Sequence, residues 1–188
     1  MAFLTDLWLP IVVAAVFVFL ASSVIHMILP IHRKDYGKMP DEDAALDGLR
    51  AAGVRPGQYM FPCATTFKEY GTPEMKAKLE QGPVGFMTVL DGPVAMGKNL
   101  TFWMIYCVVV SIFVAYVASF VLSPGVDYLV VFRLTGTVGF LGYGLGAATD
   151  SIWKGQPWST SFKFVFDGLV YGLVTAGAFS WLWPGAGQ

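Results

Sequence analysis

Charge is what this chain has least of. Only 13% of its 188 residues are Asp, Glu, Lys or Arg, while 55% are hydrophobic. A soluble domain carries about 25% charged residues, and a water-soluble core cannot take up this much apolar surface. A formal net charge of −1 supplies no basic excess, so nucleic acid is not expected as a partner. There are two cysteines, Cys63 in a connecting segment and Cys107 inside an apolar run, which argues against a disulfide framework. Two histidines, both near one membrane face, are too few and too close for bis-histidine haem between facing helices. H-E-x-x-H, G-x-S-x-G and an inverted-repeat layout are missing, as are internal repeats and low-complexity stretches. No cofactor is therefore expected, and nothing in the motifs marks an enzyme.

What is present is a set of four long apolar runs: Leu7 to Leu29, Leu100 to Leu122, Tyr128 to Ala148 and Phe162 to Trp183. A bilayer core takes roughly 20 apolar residues per helix, so each run predicts a transmembrane helix. The first has no basic flank and exceeds the core of a signal peptide, which reads as a retained helix. Ser123, Pro124 and Gly125 predict a tight turn that makes the second and third helices antiparallel neighbours. The expected fold is an all-α integral membrane protein of four transmembrane helices, with a small mixed α/β inner-face segment between helices one and two. Residues 1–30 hold the first helix, 31–97 the inner-face segment, and 98–188 the other three helices.

Nine of the twelve basic residues, Arg33, Lys34, Lys38, Arg50, Arg55, Lys68, Lys76, Lys78 and Lys98, fall between the first two runs. Lys154 and Lys163 add to the connection between the third and fourth helices. Because cytoplasmic loops hold the excess of Lys and Arg, both termini are expected outside and residues 31–97 in the cytoplasm, with a bacterial inner membrane as the location. Trp8, Trp181 and Trp183 at one boundary, and Trp103, Trp153 and Trp158 at the other, form the belts that mark headgroup level.

Within the inner-face segment, Pro40 followed by Asp41, Glu42 and Asp43 predicts a helix start, and Gly53 its stop. Thr72 with Pro73 predicts a second helix running to Gly82. Gln58 to Phe61 and Phe86 to Leu90 read as short strands that could form a hairpin, and Asp91, Gly92 and Pro93 mark a turn. Gly92 to Asn99 spells G-P-V-A-M-G-K-N, one residue short of a phosphate loop. Asn99 stands where a hydroxyl would hold magnesium, and the loop feeds a membrane helix rather than an α/β sheet, so it reads as a glycine turn before an interfacial Lys98.

Three groups of residues are candidates for function. His26, His32 and Asp35 could converge on a divalent metal if the chain turns at Pro30, and Met27, Met60 and Cys63 would add soft ligands suited to Cu(I). Against that, methionines fill irregular cores and histidines at helix ends satisfy carbonyls. Arg133 and Asp167 are intramembrane charges, which by default mark function. Their depths place them roughly 13 Å apart along the membrane normal. Arg133 is therefore expected to reach outward, and Asp167 to lean toward Lys163 one turn away. Finally, Gly136, Gly139, Gly142 and Gly146 on the third helix, and Gly168, Gly172, Ala176 and Ser180 on the fourth, predict close helix packing.

These observations point to a non-enzymatic membrane protein, a structural or accessory subunit of a homo-oligomer or larger assembly. Its partners would be the bilayer and either itself or other membrane subunits. The alternatives are a metal-binding or redox membrane protein using His26 and His32, and a small channel or transporter.

Overall fold

The computed structural model describes residues 2–185. The termini, Met1 and residues 186–188, whose side of the membrane the charge pattern addresses, lie outside the described residues. The chain divides into two compact units, one of Met1–Asp35, Ala95–Ser151 and Gln156–Gln188, the other of Tyr36–Val94 with Ile152–Gly155.

Among the described residues, four helices are long and apolar enough to cross a membrane, Trp8–Ile28, Met96–Val121, Tyr128–Lys154 and Trp158–Trp181, and all but the last three residues of the third belong to the larger unit. A short α1 (Ala2–Asp6) precedes α2 (Trp8–Ser23), which continues into a π-helical turn, Val24–Ile28. Residues buried in α2 recur at Ile11, Ala14, Ala15, Val18 and Ser22, the spacing of one helix face. Its opposite face exposes Trp8, Val12, Val16 and Leu20. A helix apolar on every side is suited to lipid on one face and to its neighbours on the other.

The second span and the fourth start four residues before their apolar runs, at Met96 and Trp158. Hydropathy marks only the part in hydrocarbon, whereas a helix continues through polar interfacial residues such as Lys98 and Asn99. The third span is interrupted. A helix over Tyr128–Tyr143 gives way to a 3₁₀ turn, Leu145–Ala147, before a further helix, Ala148–Lys154.

That interruption reshapes the small-residue seam between Tyr128–Tyr143 and Trp158–Trp181. A Cβ built on Gly168 would lie 2.2 Å from the Cα of Gly144, and one on Gly172 would lie 2.9 Å from the carbonyl oxygen of Gly136. Gly136 and Gly139 also face this seam, meeting Ala176 and Gly172. Gly142 instead abuts Val110 on the second span, and Gly146 faces open space. The two departures from expectation have separate causes. Gly142 is turned about 120° from Gly136 on the helix, and the 3₁₀ turn breaks the phase before Gly146. Gly144, absent from the expected set, makes the closest backbone approach instead. Ser180 is buried, and its hydroxyl has no partner among the described residues.

The smaller unit comprises α3 (Glu42–Ala51), β1 (Gly57–Phe61), α4 (Pro73–Gln81) and β2 (Gly85–Val89). Asp41 caps α3 by accepting from the Ala44 N–H at 3.1 Å, and Thr72 caps α4 by accepting from the Met75 N–H at 3.3 Å, each satisfying an orphan donor. Gly53 and Gly82 follow the two helices with φ of 68° and 63°, where glycine carries no Cβ penalty. β1 and β2 pair antiparallel with Tyr59 opposite Met87. Their connection contains α4, so the strands are not joined by a hairpin turn. Asp91 to Pro93 comes after β2.

Candidate metal centre

The geometry begins with Pro30. A residue before proline is pushed out of the helical region, and Leu29 is extended, with ψ of 143°. The preceding turn is π-helical, with the Leu29 N–H donating to the Val24 carbonyl at 3.0 Å, a deviation that recurs at functional sites. Pro30 then opens a single 3₁₀ turn, Pro30–His32. This reversal brings together two histidines six residues apart. Their rings stack with centroids 4.3 Å apart, and Phe164 lies 5.0 Å from the ring of His32.

From the fourth span, Lys163, Asp167 and Tyr171 project along one face at four-residue spacing. Asp167 Oδ2 lies 2.9 Å from His32 Nε2 and 3.5 Å from His26 Nε2. His32 Nδ1 lies 2.6 Å from Asp35 Oδ2, and Lys163 Nζ donates to the other oxygen of Asp35. A polar chain thus runs Lys163, Asp35, His32, Asp167, His26. The side chains of Asp35 and Asp167 are only 4% and 2% exposed, against 38% for His26. Burial alone would raise the carboxyl of Asp35, but hydrogen bonds from Lys163 and His32, reinforced by their charge, outweigh it and hold the group below the ordinary carboxylate range.

The expected pairing of Asp167 with Lys163 is corrected. Lys163 is taken by Asp35, and Asp167 by the two histidines. The spacing rule weighs one helix in isolation, and here the turn after the first span delivers a carboxylate to Lys163 and an imidazole to Asp167. Arg133 is exposed and has no ion pair among the described residues.

Of the candidate metal ligands, His26 and His32 converge with Asp167, and their ligating atoms lie within 4.8 Å of one another. Asp35 stands behind His32. Met27 lines a neighbouring cavity. Met60 and Cys63 belong to the smaller unit, where Met60 lines an apolar pocket with Leu49, Val54 and Met87, and Cys63 is exposed.

Three buried atoms of this cluster, His32 Nε2 and both carboxylate oxygens of Asp167, have no hydrogen-bond partner among the described residues. The 2.9 Å contact between them is close but lacks hydrogen-bond directionality. Beside the cluster lies a cavity of about 580 Å³ lined by His26, Asp167, Trp103, Tyr143, Phe164 and Tyr171, among others. Trp103 donates from Nε1 to the Ser22 hydroxyl at 2.7 Å, which fixes the indole in the wall. These aromatic contacts and the Asp35 bridge were not foreseen from the sequence. Their only signal was proximity in depth: His26, His32 and Asp35 fall at or just after the C-terminal end of the first span, and Lys163 and Asp167 near the N-terminal end of the fourth. No family model, curated protein or solved structure matches this chain, and the functional reading rests on the geometry of the site.

Proposed function

We propose that the chain is a divalent-metal-binding membrane protein, with His26, His32 and Asp167 as ligands and Asp35 as the group that orients His32. One observation carries this reading. Asp35, already bonded to Lys163, lies 2.6 Å from His32 Nδ1, so a neutral His32 donating from Nδ1 would turn its Nε2 lone pair away from Asp35. That lone pair faces the carboxylate of Asp167 at 2.9 Å. Two acceptors so close repel each other unless a cation lies between them.

A tetrahedral ion with bonds of about 2.0–2.2 Å holds its ligand atoms about 3.4 Å apart, against 2.9 and 3.5 Å from Asp167 to the two histidines. Two imidazoles and one carboxylate suit zinc or another first-row divalent ion. Three protein ligands leave a fourth position open, next to the cavity. A carboxylate behind a ligating histidine is the outer-shell partner that sets tautomer and ligand basicity.

Purified protein in detergent should bind Zn²⁺ at about one equivalent, and Co²⁺ should give the visible absorption of a low-coordinate site. Asp35→Asn should weaken binding about 10–100-fold, the usual effect of losing an outer-shell partner. The competing state is a doubly protonated His32 held between two carboxylates. Failure to bind either metal stoichiometrically would overturn the metal reading.

The small-residue seam supports an assembly role less than it did as a pattern, because its glycines pack the third and fourth spans against each other within one chain. For orientation, the proposal keeps residues 31–97 on the cytoplasmic face of a bacterial inner membrane and both termini outside, on the strength of the eight basic residues in that segment and Lys98 just after it. In a Cys63→Ser background, an impermeant thiol reagent applied to intact cells should label Gln188→Cys and not Lys76→Cys. The reverse pattern inverts the topology.

A further inference from the structure

The cavity beside the cluster has a chemistry of its own. It is about 580 Å³, within the range of small-molecule sites, and its lining includes Asp150 and Asp167 but no lysine or arginine. One wall is a trio of mutually contacting rings, Trp103, Tyr143 and Tyr171, with centroids 5.7–6.2 Å apart. The Trp103 N–H is used by Ser22, and the Tyr143 hydroxyl donates to the Cys107 carbonyl at 3.3 Å. Tyr171 is 3% exposed, lines the cavity, and its hydroxyl has no partner among the described residues. Asp167 lies one helical turn from Tyr171, so a buried carboxylate without a hydrogen bond stands about 6 Å along the helix from the aromatic wall.

We propose that this cavity binds a lipophilic organic cation, a substituted ammonium or phosphonium, with its charge against Asp167 and its apolar groups on Trp103, Tyr143 and Tyr171. Two elements of the site favour positive charge, the aromatic wall and the carboxylate of Asp167. Ring faces attract cations through their quadrupole, most strongly where water is excluded. The carboxylate supplies the countercharge that a low-dielectric wall demands. An anionic lipid headgroup would meet like charge at Asp167, and a neutral ring would leave that charge uncompensated. The proposal goes beyond the metal reading. It shares Asp167 with that reading but does not require His32, and a metal ion on Asp167 should compete with the organic cation.

The test is equilibrium dialysis of tetraphenylphosphonium against the full-length protein in a neutral detergent, after chelator treatment. Saturable binding near one equivalent is expected. It should weaken at least about tenfold in Asp167→Asn and about tenfold in Trp103→Leu, and fall on addition of Zn²⁺. His32→Gln should lose Zn²⁺ while keeping tetraphenylphosphonium, and Trp103→Leu should do the opposite, which also shows that each variant is folded. Binding that does not saturate, that survives both Asp167→Asn and Trp103→Leu, or that is matched by a neutral quinone overturns the proposal. Tetraphenylphosphonium binding without Zn²⁺ binding leaves it standing and removes the metal reading.

Discussion

Gly168→Ala should destabilise the protein by about 3 kcal/mol, the upper end of the usual cost of overpacking a close-fitting interior. The added methyl would sit 2.2 Å from the Cα and 2.5 Å from the amide nitrogen of Gly144. Both are backbone atoms with no rotamer to escape into, so one helix must move away from the other. In a bilayer that separation is not offset by a hydrophobic drive, because lipid tails are as apolar as the helix surface. Thermal unfolding of detergent-purified protein measures the loss. Gly146→Ala is the control, because nothing lies within 4 Å of its added carbon and alanine is the better helix former. Equal stability of the two variants would contradict the seam as described.

His32→Ala is the second large effect, at about 1–3 kcal/mol, the usual cost of leaving a buried acceptor without one of its partners. Asp167, 2% exposed at its side chain, would lose its nearest partner. Asp35 would lose one of its two. Asp167→Ala alone should cost less, since His32 retains Asp35 at 2.6 Å. The double variant should cost clearly less than the sum of the singles, a coupling expected only of residues in direct contact. Additive losses would mean that the two side chains do not interact.

The spans were legible because hydropathy depends on composition alone, and the caps of α3 and α4 because Asp41, Thr72 and Pro73 act through their nearest neighbours. The site was legible only in fragments. His26, His32 and Asp35 could be picked out, as could Asp167, but not their union, because Asp35 and Lys163 meet across 128 positions of sequence. No periodicity links residues on the first and fourth spans. Gly144 escaped notice for a related reason. The seam was expected from even spacing along an unbroken helix, and the 3₁₀ turn at Leu145–Ala147 shifts the phase where the closest approach occurs.

The bridge between Asp35 and Lys163 also bears on the order of synthesis. A chain enters the membrane from its N-terminus, so His26, His32 and Asp35 emerge long before the residues that complete them. Until the Trp158–Trp181 helix arrives, the first span carries two imidazoles and a carboxylate at the edge of the lipid with no lysine or Asp167 to meet them. Its polar end is satisfied only once the Trp158–Trp181 helix has been made. A product truncated before Lys163 therefore presents the cell with an unfinished surface, distinguishable from the complete molecule by charge exposed at the bilayer boundary.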